Sequence, residues 1–221
     1  MTTFVLIHGA GGVAWQWSLV EPELRDRGYD VVAMDLRADD ESAGLQDYAD
    51  TVIEAIGGRT KLVIVAHSFG GYTAPLVCAR MPATRMVLVA GMIPLPGESA
   101  GEMFANTSHQ ASPVDAGLSE TESMIATFMH DVPADLAREA LSRGRDQAAN
   151  PLAEPWPLDA WPDVSTQFLL CRDDRMFPAM WMRQVVKDRL GITPDEIDGG
   201  HFPALGRPKE LADRLEAYGT A

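Results

Sequence analysis

Two cysteines in 221 residues, Cys78 and Cys171, leave no disulfide framework, and neither stands in a motif. They read as buried small hydrophobes of a reducing compartment, so the expected location is the cytoplasm. No cluster of His, Cys and carboxylates has metal-ligand spacing, so no metal is expected. No apolar run approaches the ~20 residues that cross a bilayer. Met1-Thr2-Thr3 runs straight into an apolar strand, without the basic n-region or small-residue cleavage site of a signal peptide. Basic residues are also scarce. Eighteen Lys and Arg stand against 32 Asp and Glu, a formal charge of −14. Such a surface repels phosphate backbones and exerts no long-range pull on anionic substrates, which argues against a nucleic-acid partner. A dinucleotide fingerprint is missing as well. Gly9, Gly11 and Gly12 follow a strand, but not at G-x-G-x-x-G spacing. No cofactor is expected, and the expected partner is a small-molecule substrate, with the chain a monomer or homodimer.

What is present is an ordinary globular composition, 46% hydrophobic and 23% charged, enough to bury a large core. The chain is organised around Lys61-Leu-Val-Ile-Val-Ala-His-Ser-Phe-Gly-Gly71. Leu62–Val65 is the apolar, β-branched run of a strand buried on both faces. It ends in Ala66-His-Ser68-Phe-Gly70, which reads as G-x-S-x-G with Ala in first place, and helical sequence follows. Strand, tight turn and helix around a central Ser make a nucleophile elbow. Strand and helix backbones nearly touch there, so Ala66 and Gly70 must be small. An ordinary turn would show the same pentapeptide, so the other residues decide.

Apolar runs at Thr3–Ile7, Tyr29–Met34, Arg85–Ala90, Thr166–Leu170 and Asp195–Ile197 predict further strands. Helical patterns fall from Ser18 or Pro22 to Arg27, and at Gln46–Ile56, 69–81, 178–190 and Arg207–Tyr218. Pro75 inside the third of these should kink it or tighten the turn. The alternation predicts an α/β fold with a mainly parallel, six-stranded sheet and helices on both faces. Residues 92–164 break the rhythm with prolines and glycines. They show two helical pieces, Glu120–Met129 and Ala134–Arg143, and read as a mostly helical cap inserted into a core of 1–91 and 165–221.

Four features then fall at strand carboxyl ends, where such sheets bind ligands. They are His8-Gly9-Ala10, Ser68, Asp173/Asp174 and His201. A serine hydroxyl needs a base within hydrogen-bond reach, and histidine titrates nearest neutrality. The imidazole needs a carboxylate to fix its tautomer. The oxyanion needs two preorganised donors, for which the Ala10 and Phe69 amides are candidates. Each piece has a bland reading too: His201 as a turn residue, Asp174 as a helix cap, Asp35 as a turn cap. Asp173 competes with Asp174, which is preferred because Pro178 follows four residues on. His67, His109 and His130 read as structural or solvated. Trp17, Met103, Phe104, Met124 and Phe128 are candidates for lining the substrate.

The chain resembles the α/β hydrolases, and more narrowly the small branch of plant methyl esterases, hydroxynitrile lyases and bacterial hydrolases. The residues that carry this are Phe4-Val-Leu-Ile-His-Gly-Ala10, Trp15-x-Trp17, Gly28-Tyr-Asp-Val-Val-Ala-Met-Asp-Leu36, Ala66-His-Ser-Phe-Gly-Gly71, Asp174 and Gly200-His201. They cover most of the chain outside the cap. The resemblance implies Ser68, Asp174 and His201 as a triad, Ala10 and Phe69 as oxyanion donors, and a serine carboxylesterase. The lyases of that branch carry Thr after the loop histidine and Lys after the catalytic one. This chain has Gly9 and Phe202 there, which favours ester hydrolysis. A thioesterase, a C–C hydrolase, or a receptor-like protein that holds its ligand on a slow triad are the alternatives.

Overall fold

Six runs rich in Val, Ile and Leu become the strands of one sheet in the computed structural model, which describes residues 1–220. They are β1 (Thr3–Ile7), β2 (Asp30–Ala33), β3 (Leu62–His67), β4 (Ala83–Val89), β5 (Thr166–Cys171) and β6 (Asp195–Ile197). Their order is β2-β1-β3-β4-β5-β6, and every pairing is parallel. Every residue of β1 and β3 is buried. That is why these strands read as continuous apolar runs rather than alternating ones.

Parallel neighbours need crossovers, and helices supply them. They are α1 (Val20–Asp26), α2 (Leu45–Ile56), α3 (Gly70–Arg80), α4 (Ala100–Asn106), α5 (Glu120–Phe128), α6 (Ala134–Arg143), α7 (Ala149–Ala153) and α8 (Ala179–Leu190), while α9 (Pro203–Gly206) and α10 (Pro208–Thr220) follow the last strand. In α2, Tyr48, Ala49, Val52 and Ile56 form the buried stripe. Helix α3 is buried from Gly70 to Val77 and continues across Pro75 as one element. Among the described residues no helix is long and apolar enough to cross a membrane.

The segment between β4 and β5 carries α4, α5, α6 and α7, two helices more than the sequence predicts. It packs in two ways. Its two ends join the main core: Met103 and Trp156 are fully buried there, and the Trp156 indole N–H donates to the Tyr72 carbonyl at 3.2 Å. Glu98, just before α4, lies buried against Arg189 of α8. The middle, α5 and α6, forms a separate small apolar cluster with Trp15, Phe202 and Leu205. There the Arg143 guanidinium lies 4.9 Å over the Trp15 ring. Cys171 ends β5 and Cys78 lies on α3, both as free thiols. Burial pushes the Cys78 thiol up to about 12, and that of Cys171 well above its ordinary value.

Candidate active site

The turn after β3 holds Ser68 at φ +52°, a left-handed conformation that strains a residue with a Cβ. Its surroundings over-determine it. The Ser68 amide donates to the Val89 carbonyl at 3.3 Å, and its carbonyl accepts the Gly71 and Met92 amides at 3.0 and 2.9 Å. Gly70 and Gly71 make this approach possible. A Cβ on Gly70 would lie 2.8 Å from the His8 carbonyl oxygen, and one on Gly71 2.0 Å from that of Met92. Ala66, fully buried, is as small as its place demands.

The loops after β5 and β6 bring two more side chains to the serine. His201 Nε2 lies 3.0 Å from Ser68 Oγ, and His201 Nδ1 lies 2.7 Å from Asp174 Oδ2. Both of these side chains are 1% exposed. Asp174 Oδ1 accepts the Phe177 amide at 2.8 Å, so the carboxylate cannot swing away. Asp173 does something else. Its amide donates to the Gly199 carbonyl at 3.0 Å and its carboxylate accepts the Gly199 amide at 3.1 Å, which fixes the loop before His201. Asp131, just after α5, accepts the next amide, Gly200, at 2.9 Å. Phe177 stands edge-on to the His201 ring at 4.9 Å and Phe128 at 5.5 Å.

Two buried neutral histidines frame this group. His67 Nε2–H donates to the His201 carbonyl at 2.7 Å, and its Nδ1 accepts from the Gln16 amide at 3.3 Å. Burial first, and the neighbouring His201 second, push its pKa well below the usual histidine value. His8 Nδ1–H donates to the Gly9 carbonyl at 2.8 Å and Nε2 accepts the Leu36 amide at 2.9 Å. Burial lowers its pKa too. Both hydrogen-bond patterns need exactly one ring proton, which the neutral form supplies. His8 thereby shapes the loop that carries Ala10. Ala10 lines the cavity with Ser68, Phe69 follows Ser68 in the elbow, and neither backbone N–H donates within its own turn. His109 packs against Phe104 and Trp181 and bonds the Met176 carbonyl at 2.7 Å. His130 bonds the Asp173 carbonyl at 2.9 Å.

A cavity of about 550 Å³ opens over Ser68 and His201. Its floor is the Gly9–Gly12 loop, and α5 and α6 wall it with Met124, Phe128 and Leu141. Met124 and Phe128, two of the candidates for lining the substrate, border this cavity. Trp17, Met103 and Phe104 do not border it, and these three expectations are corrected. Trp17 is fully buried beneath His67, with ring centroids 6.4 Å apart. Met103 is fully buried in the main core and faces no cavity. Phe104 stacks on His109 at 4.5 Å. Trp15 and Phe202 line the cavity instead. The signal for Trp15 was present in Trp15-x-Trp17. Ala14–Trp17 forms a 3-10 turn, which turns residues two apart to different sides. Asp35, just after β2, accepts the Ala14 amide at 2.7 Å and pairs with Arg145 at 2.8 Å. Among the described residues no group of His, Cys, Asp and Glu is placed to hold a metal ion.

Known proteins resemble this chain in sequence and in fold. The chain is 27% identical to methylesterase 7 of Arabidopsis thaliana, over 96% of this chain and 94% of that protein. It is 26% identical to norfluorocurarine synthase 1 of Strychnos nux-vomica, over 96% and 93%. Among solved structures, polyneuridine aldehyde esterase superposes with a TM-score of 0.83 at 22% identity, covering 99% of both chains. An extracellular alpha/beta-hydrolase from a Paenibacillus species also gives 0.83, at 20% identity over the whole of both chains. The alpha/beta hydrolase family profile matches residues 4–214. With parallel sheet, elbow and profile in agreement over nearly its whole length, the chain belongs to the alpha/beta hydrolase family.

Proposed function

We propose that the protein hydrolyses a small, fairly apolar carboxylic ester through an acyl-enzyme. The observation that carries this is the hydrogen-bonded series Ser68–His201–Asp174 opening onto a largely apolar cavity. His201 takes the Ser68 proton as Oγ attacks the ester carbonyl. Asp174 holds the imidazole in the tautomer whose Nε2 faces the serine and steadies the imidazolium. The Ala10 and Phe69 amides hold the oxyanion. Collapse expels the alcohol, which takes the proton from His201. Water, activated by His201, then attacks the acyl-enzyme, and Ser68 leaves with its proton restored. Methylesterase 7 among the relatives supports an ester substrate. Gly9 and Phe202, where the lyases carry Thr and Lys, support hydrolysis over cyanide release.

Intact-mass labelling with a fluorophosphonate tests the reading. One adduct is expected on the native protein and none on Ser68→Ala. Ser68→Ala should also lower turnover of p-nitrophenyl esters by about 10⁶-fold, with its melting temperature little changed. Absence of an adduct on well-folded native protein would overturn the reading in favour of a ligand-holding protein.

A further inference from the structure

The loop that carries one oxyanion donor has almost no side chains to hold it. Gly9-Ala10-Gly11-Gly12 follows β1, and Gly11 sits at φ +60°. Such a loop is free to sample many conformations, yet an oxyanion donor acts only if it is preorganised. From its own side the loop has two bonds: the His8 ring to the Gly9 carbonyl, and the Gly12 amide to the same oxygen at 3.1 Å. The rest comes from far along the chain.

Residues 144–148, between α6 and α7, lie against this loop. The Arg145 amide donates to the Gly11 carbonyl at 2.8 Å. The Gln147 side-chain oxygen accepts the Gly11 amide at 2.9 Å. A Cβ on Gly11 would come 2.6 Å from the Arg145 carbonyl, so the two backbones are in direct contact. The Gly11 amide belongs to the Ala10–Gly11 peptide plane. Fixing that plane fixes the Ala10 Cα and removes one of the two rotations by which the adjoining Ala10 N–H could turn out of the site. Gln147 is itself anchored. Its Nε2 donates to the Tyr48 hydroxyl at 3.1 Å and to the Ala148 carbonyl at 3.0 Å. Tyr48 is buried on α2. A rigid core helix therefore reaches the oxyanion loop through one amide side chain.

We propose that Gln147 is a positioning residue for the Ala10 oxyanion donor, so that the segment inserted between β4 and β5 completes the hydrolytic site as well as walling it. This rests on the reading of Ala10 as a donor in ester hydrolysis. Gln147 touches no reacting atom. It acts through the Gly11 amide.

The test compares native protein, Gln147→Met and Gln147→Glu on a p-nitrophenyl ester, with phenylboronic acid as a mimic of the tetrahedral intermediate. Methionine keeps the length and removes the acceptor. Gln147→Met should lower kcat by about 10- to 100-fold, the range for a displaced catalytic group. KM should stay within about threefold, and boronic acid affinity should fall by the same factor as kcat/KM. Gln147→Glu keeps an acceptor oxygen on the Gly11 amide and should recover most of kcat. Native kcat and boronate affinity in Gln147→Met would overturn the inference alone. So would equal loss in both variants with boronate affinity unchanged, the mark of a merely structural residue. A native protein that takes no fluorophosphonate and binds no boronic acid would overturn the esterase reading, and this inference with it.

Discussion

A Cβ on residue 71 would stand 2.0 Å from the Met92 carbonyl oxygen, and no side-chain rotation relieves a contact with backbone. Gly71→Ala should therefore cost about 3 kcal/mol or more, the upper range for overpacking, or prevent folding. Gly58 after α2 offers the contrast, because nothing lies within 4 Å of a Cβ there. Gly58→Ala should be neutral or stabilise by about 0.4–1 kcal/mol through the unfolded chain. Urea denaturation of the two variants against the native protein decides both. The pair also shows what a sequence discloses at this scale. Smallness at Ala66 and Gly70 follows from the elbow's own geometry, so those residues were legible. The demand at Gly71 comes from the chain after β4, twenty-one residues away, and only the folded structure exhibits it. Trp15 and Trp17 repeat the lesson: both are apolar, and nothing in their spacing alone says which faces the cavity and which the core.

The element most exposed to a single replacement is α8. Arg189, at its C-terminal end, bonds both carboxylate oxygens of Glu98 and the Ile93 carbonyl. The side chains of the pair are 6% and 4% exposed. Burial alone would raise the Glu98 carboxyl. The Arg189 guanidinium and the Asn106 amide outweigh it and hold that carboxyl below its ordinary value. Arg189→Met would leave a buried carboxylate unpaired, and should cost about 3–5 kcal/mol in urea denaturation. Adding Glu98→Leu to Arg189→Met should restore most of that loss, which a double-mutant cycle measures. At the scale of elements the sequence was uneven. Strands β1 and β6 and helix α6 have the bounds that their patterns predict. Helix α5 opens on a capping box, Ser119-x-x-Glu122. Helix α4 opens on the same signature, Ser99-x-x-Glu102, and was as legible in principle, but its short run between prolines and glycines hid it. Helices α7 and α9 have five and four residues, and tertiary contacts rather than propensity make them helical.

Across the whole molecule, acid should act first through the two neutral histidines. Burial is the largest cause of the lowered pKa at both His8 and His67. In the unfolded chain each takes a proton near pH 6.5, and in the folded protein each resists it. The unfolded state then binds more protons, so stability is complete above about pH 6.5 and declines as pH falls below it. The limiting slope is about 1.4 kcal/mol per pH unit for each histidine. Carboxylates held low, Glu98, Asp30 and Glu196 among them, add their losses only further down, as pH falls through and below the ordinary carboxylate range. Chemical denaturation at pH 7.5, 6 and 5 should show this early decline, and His67→Gln should remove about half of its slope. The two thiols, Cys171 buried and Cys78 half-buried on α3, carry a practical consequence for anyone handling the protein. Burial pushes the Cys78 thiol up to about 12 and that of Cys171 well above its ordinary value, so both stay protonated and unreactive at pH 7. Ellman's reagent should count no thiols in the native protein and two after unfolding. One cysteine engineered on the face of α5 and another on α2 would then be the only groups a maleimide dye finds, and the wild-type background needs no prior removal of cysteine to watch the mouth of the cavity by energy transfer.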